Sequence, residues 1–194
     1  MWDSESKRKL IDIINRAKVI ETKPNWYSLH RIWHNPDTRS DFYELFLAFW
    51  KEELTDVNAC VLLCPEGLVS SFGMIPFASL LANELKHSLV VWEEFGDILT
   101  ASPLMYPNES FLEKGKCCIV LQDVVSKGST LRKLYNELNR LGWKIRRYVT
   151  LVQIDEYNQD LEDNINYCRN NLDYLTEDFR FIPILHDTEI RGKN

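Results

Sequence analysis

No stretch of this chain holds the roughly 18–20 consecutive apolar residues that a membrane-spanning helix needs. Its first ten residues, MWDSESKRKL, are polar and charged and contain no apolar segment of the signal-peptide kind. A cytoplasmic protein with reduced thiols is therefore expected. Internal repeats and low-complexity tracts are missing as well. The five cysteines are not spaced as zinc ligands: three residues separate Cys60 from Cys64, and Cys117 and Cys118 are adjacent. Those four lie in apolar runs and read as buried small hydrophobes, so no protein-held metal is expected. Positive charge is also short, with Lys+Arg 23 against Asp+Glu 29, a net charge of −6 and a pI near 5.3. This argues against nucleic acid or an anionic membrane as the main partner. At 45% hydrophobic and 27% charged residues the chain is not disordered, and 194 residues suit one domain.

Hydrophobic spacing supplies the elements. Residues 4–20 and 42–54 read as helices, and the proline-containing segment between them as loop or short strand. Short apolar runs at 57–64, 88–92, 117–122 and 145–154 read as strands buried on both faces. Residues 75–86 read as a helix with Pro76 in its first turn. Residues 131–141 put Leu131, Leu134, Tyr135, Leu138 and Leu141 on one stripe, with Gly142 just past the end. Strands alternating with helices imply right-handed crossovers and a parallel sheet, hence a doubly wound α/β fold. Ligands in such sheets sit beyond the carboxyl ends of the strands.

The stretch 117–131, CCIVLQDVVSKGSTL, is the most informative. An apolar strand ends in Gln122 and Asp123. Ser126, Lys127, Gly128, Ser129 and Thr130 follow, and a helix begins. Successive N–H groups at a helix N-terminus, with the positive end of its dipole, form an anion cradle. Gly128 is expected to let the backbone approach a ligand, and the three hydroxyls add donors. Lys127 could pair with a phosphate as a point charge. The spacing is not that of a Walker loop.

This segment resembles the phosphoribosyl-diphosphate motif of type I phosphoribosyltransferases, most of all the orotate enzymes, whose version reads Glu-Asp-Val-Val-Thr-x-Gly-x-Ser. The likeness implies the family's parallel sheet flanked by helices, with a small N-terminal hood. The expected division is hood helices over 1–56 and α/β core over 57–194, one structural domain overall. Residues 68–82 look like the family's pyrophosphate loop and the helix behind it, with Ser70, Ser71, Phe72 and Gly73 lining the loop. The resemblance implies that Asp123 is catalytic and that 122–130 holds a phosphorylated ribose or nucleotide, with Mg²⁺ carried on the ligand. A homodimer, or a subunit of a larger complex, is expected.

Three departures bear on catalysis. Gln122 stands where the family has its first acid, so the charge that favours an oxocarbenium-like ribose is reduced to Asp123. The segment 93–116 is expected to be a long loop or lid, and its five acids and two bases give it a net charge of −3. The family's lid instead brings Lys and His to the departing pyrophosphate, which an acidic lid would repel. Lys127 replaces a usually small residue. In the hood, His30, Arg31, His34 and Arg39 are either cleft or surface residues.

Several functions stay open on these grounds. The chain would bind phosphoribosyl diphosphate or a 5′-nucleotide and act as a pentosyltransferase with weakened catalytic residues. Alternatively it is a regulatory or effector subunit that kept the cradle, as in bacterial antiviral defence systems. A nucleotide-cleaving enzyme would use the same cradle with water as acceptor.

Overall fold

In a computed structural model of the chain, the structure describes residues 3–17, 19, 29–53, 61–67, 74–85, 89–95, 98–101 and 117–192. The first helix, α1 (Ser4–Arg16), starts at Asp3, whose Oδ1 accepts the Ser6 N–H at 2.7 Å, and it buries Leu10, Ile13 and Ile14. The segment expected as loop is helical from residue 30: α2 covers His30–His34 and α3 covers Pro36–Glu53. The local chemistry explains the correction. Asn35 is extended, its Oδ1 accepts the Asp37 N–H at 2.9 Å, and Pro36 occupies a first-turn position where its missing N–H costs nothing. Two features that read as loop punctuation are a helix start.

Strand β1 (Val61–Gly67) leads into α4 (Ile75–Leu85), β2 (Leu89–Phe95) and β3 (Ile98–Ala101). Then come β4 (Cys117–Val125), α5 (Ser129–Leu141) and β5 (Lys144–Gln153). A 3-10 turn (Asp155–Tyr157), α6 (Asn158–Asn171), β6 (Leu175–His186) and α7 (Asp187–Ile190) complete the order. The six strands run β3-β2-β1-β4-β5-β6, all pairings parallel except β2 with β3.

The segment 93–116 is therefore not all loop, since β2 runs on to Phe95 and 98–101 folds back on it as an edge strand. The rest of that segment, like the Ser70–Gly73 loop, lies outside the described residues. The described part of the first strand includes Pro65, and residues 57–60 of the expected run lie outside the described residues. Its pairing with β4 covers only Val61–Leu63, so the proline falls beyond that ladder.

Helices cover both faces. One hydrophobic cluster joins α1, α3 and α4 to the sheet through Ile119, Leu121, Val149 and Leu151. Phe77 of α4 is at its centre, with its ring 4.2 Å from Phe46 and 5.7 Å from Phe42 by centroid. The other cluster joins α5 and α6 to Cys118, Val120, Ile145 and Tyr148. Crossovers thus leave the β1–β4 pair in opposite directions and open the carboxyl ends of these two strands as the crevice of the fold. Cys118 and Cys168 are buried and Cys117 half-buried, all three as free thiols. No helix among the described residues is long and apolar enough to cross a membrane.

Candidate functional site

The loop after β4 stands beside that crevice. Gly128 caps α5 at φ 72° and ψ 19°, a left-handed conformation, and has no side chain with which to cover the first N–H groups of the helix. Ser126, Lys127 and Ser129 are exposed, whereas Gly128 and Thr130 are buried. Gly128 also has a packing reason. A Cβ on Gly128 would lie 2.6 Å from Leu161 Cδ1, so the missing side chain admits α6. The same helix ties the loop elsewhere: Asn164 Nδ2 donates to the Lys127 carbonyl at 2.7 Å. The Lys127 ammonium lies 3.4 Å from Asp160 and 5.0 Å from the centre of the Tyr157 ring. The opening turn of α5 is braced from beneath by the buried Tyr174, whose hydroxyl donates to the Leu131 carbonyl.

Asp123 is half-buried on β4, and its Oδ1 accepts the Val124 N–H at 2.7 Å. Burial pushes its carboxyl up to about 6, against the pull of that hydrogen bond. Gln122 is not a bare strand end. The buried Tyr148 hydroxyl donates to its Oε1, and its Nε2 donates to Thr130 Oγ1 at 3.5 Å. An amide suits this place because it gives the buried phenol an acceptor and still offers the loop a donor. The row Tyr148–Gln122–Thr130 thus fixes the cradle to the second strand of the β4–β5 pair.

Further along the same edge is a cluster that the sequence reading passed over. Asp155 follows β5, and His186 ends β6. His186 Nδ1 lies 2.6 Å from Asp155 Oδ1, and Thr188 Oγ1 donates to Asp155 Oδ2 at 2.5 Å. The Asp155 N–H donates to Asp187 Oδ1 at 2.9 Å. Burial opposes ionisation of Asp155, but the Thr188 and His186 bonds outweigh it and hold the carboxyl below its ordinary range. Glu189 accepts the His186 N–H and, on its other oxygen, Lys7 Nζ, both at 2.8 Å, which joins α7 to α1. The available signal was a carboxylate just past a strand end, beside the carboxyl edge where ligands of such sheets sit.

Of the hood bases, His30 is half-buried while Arg31, His34 and Arg39 are exposed. A groove of about 650 Å³ runs between α1 and α3, lined by Arg8, Asp12, Arg16, Asp41 and Glu44. Its charges answer one another, with Arg16 bonded to Asp12 at 2.8 Å and to Asp41 at 2.5 Å, and none of the cradle residues line it. Among the described residues no three carboxylate, histidine or cysteine side chains gather as a metal cage.

No family model matches the chain. It is 33% identical over 79 residues to the transcriptional regulator GfcR 2 of Methanosarcina barkeri, a match covering 40% of this chain and 39% of that protein. Orotate phosphoribosyltransferase of Aeropyrum pernix superposes with a TM-score of 0.64 at 15% identity, over 95% of this chain and 97% of the enzyme. Adenine phosphoribosyltransferase of Trypanosoma brucei, solved with AMP, pyrophosphate and ribose 5-phosphate, gives 0.64 at 14% identity, over 97% and 82%. Sheet order, flanking helices and these superpositions agree: the chain has the type I phosphoribosyltransferase fold.

Proposed function

We propose that this chain binds a 5′-phosphoribosyl compound, phosphoribosyl diphosphate or a nucleoside 5′-monophosphate, on the 126–130 loop, and transfers phosphoribose only slowly. The observation that carries the reading is Asp123 at the foot of an uncapped helix N-terminus, on the strand bordering the β1–β4 crevice. In this reading the loop N–H groups and the Ser126, Ser129 and Thr130 hydroxyls hold the phosphate. Asp123 faces the ribose and any Mg²⁺ that the diphosphate carries. Gln122 positions Thr130 and adds no charge. Loss of one group that stabilises developing charge costs on the order of 10²–10³ in rate. Ser70, Ser71, Phe72 and Gly73 are the proposed pyrophosphate side of the same site, on the sequence likeness alone.

A second reading, ligand sensing without turnover, is favoured by Gln122, whose amide is engaged at both ends by Tyr148 and Thr130. The regulator named among the relatives points the same way. Both readings share the ligand, and a subunit role in a larger assembly fits the second.

Calorimetry with phosphoribosyl diphosphate, AMP and ribose 5-phosphate in the presence of Mg²⁺ tests the shared claim. Binding that Ser126→Ala, Ser129→Ala and Thr130→Val weaken together supports it, and no binding of any of the three rejects it. Pyrophosphate release with each nucleobase then separates the readings. A slow rate that Gln122→Glu raises and Asp123→Asn removes supports transfer, whereas binding with no release supports sensing.

A further inference from the structure

Helix α6 grips the phosphate loop at two adjacent residues. Leu161 stands where a Cβ on Gly128 would have to go, and Asn164 Nδ2 donates to the Lys127 carbonyl at 2.7 Å. Spaced i, i+3, these two side chains share one face of the helix. The bond to Lys127 fixes more than a carbonyl. In a trans peptide the C=O of one residue and the N–H of the next point in opposite directions, and the Lys127–Gly128 peptide is trans. A carbonyl held toward α6 therefore turns the Gly128 N–H away from it. Asp160 draws the Lys127 ammonium to the same helix at 3.4 Å, so the side chain too lies on the α6 side. Among the described residues the Gly128 N–H donates to no other group, whereas the Gly128 carbonyl accepts the Leu131 N–H at 3.1 Å in the first turn of α5.

Glycine alone does not choose this orientation. Rotating the 127–128 peptide by half a turn exchanges its N–H and its C=O, as between turns of types I and II, and reverses the sign of φ at the second residue. Glycine takes both signs about equally well, so φ 72° at Gly128 is one of two accessible states. In the other state the Lys127 carbonyl would stand where an anion needs a donor. The Asn164 bond holds the first state.

We infer that Asn164 is a positioning residue of the phosphate site: by holding the Lys127 carbonyl it presents the Gly128 N–H to the bound phosphate, beside the first N–H groups of α5. This rests on the reading that the loop takes a phosphate, and it makes the cradle depend on a side chain 37 residues beyond Lys127 that does not touch the ligand.

The test uses the full chain and follows both affinity and one amide signal. Ribose 5-phosphate and AMP are titrated by calorimetry into the wild type, Asn164→Ala, Asn164→Gln and Asn164→Asp, with thermal unfolding run alongside, and the Gly128 amide is observed in proton–nitrogen correlation spectra. Asn164→Ala is expected to lose about 3- to 10-fold for both ligands alike, as a peptide that spends part of its time reversed would show. Asn164→Gln keeps a donor and recovers part of the loss. In Asn164→Asp a carboxylate accepts where the amide donated; its charge would weaken a phosphate in any case, so this variant is read from the spectrum. The Gly128 amide proton moves downfield in the wild type only when ligand is added, and in Asn164→Asp it is already displaced without ligand. Three results overturn the inference and leave the phosphate reading standing: wild-type affinity in Asn164→Ala, a wild-type Gly128 amide that ignores bound ligand, or an Asn164→Asp amide that matches the unliganded wild type. The spectra carry the test if Asn164→Ala does not fold. A wild type that binds neither ligand overturns the inference together with the phosphate reading.

Discussion

Asp123→Asn keeps the shape of the side chain, including an oxygen to accept the Val124 N–H, and removes the charge. Burial holds the native carboxyl at about 6 in place of its ordinary 3.8. That difference corresponds to about 3 kcal/mol of destabilisation of the folded state once the group is ionised. Because the side chain is only half-buried, solvent reduces the figure to about 1–2 kcal/mol. The sign follows from where each state releases its proton. Below 3.8 both folded and unfolded chains hold it, and wild type and variant differ little. Between 3.8 and about 6 the unfolded chain gives up the proton first, and the wild type loses stability progressively. Above about 6 both are ionised and the penalty is complete. Urea unfolding of both proteins at steps between about pH 4 and pH 8 should show the variant's advantage growing to about pH 6 and then levelling. A difference that stays flat across the range, or a variant that is less stable at the upper end, would refute burial as the cause of the shift. On the proposed reading, the same variant should also lose any transferase activity, which pyrophosphate release would show.

Gly128→Ala should cost about 1–3 kcal/mol, because φ is 72° and the new methyl meets Leu161 Cδ1 at 2.6 Å. Adding Leu161→Ala should cost less than the two single changes together, as a double-mutant unfolding cycle would show. Phe77→Ala removes the ring at the centre of the aromatic cluster and should cost about 3–5 kcal/mol. A loss under about 1 kcal/mol in denaturant unfolding would show that the cluster closes over the gap. Tyr148→Phe leaves Gln122 Oε1 without its donor and should cost about 1–2 kcal/mol. It should also weaken phosphate binding severalfold by calorimetry, through Thr130; unchanged binding would cut Gln122 out of the cradle.

Much of the sheet was legible because its strands announce themselves. A run such as CCIVLQ buried on both faces admits few other readings, and the Leu131–Leu141 stripe ended at Gly142 as its glycine signalled. The helix and strand at 158–186 were not assigned for an opposite reason. Helix α6 buries only Leu161 and Cys168 in an otherwise polar stretch, and β6 mixes exposed charges with a proline. The site divided along similar lines. Residues 122–130 are contiguous and carry a recognisable order of strand, acid, loop and helix. Tyr148, Asp155 and His186 reach the same edge from separate elements, so that only register brings them together. The packing role of Gly128 was not legible, since the helix against it follows more than thirty residues later.

The outermost strand limits how copies of this chain can combine. Among the described strands β6 closes one side of the sheet, and twelve residues make a long margin that could template a neighbour's backbone. Two features spoil that template. Pairing with β5 continues on both sides of Pro183, so the proline's missing N–H interrupts the outer row of donors and not the inner ladder. Nearer the strand's start, the exposed Glu177, Asp178 and Arg180 would bring charge against any incoming strand. Sheet extension and fibril-like stacking are therefore disfavoured on this side, and association there would have to proceed through side chains on helical surfaces. Replacing Pro183 by valine would restore a donor, and slow aggregation of that variant at high concentration is the cost the native residue avoids.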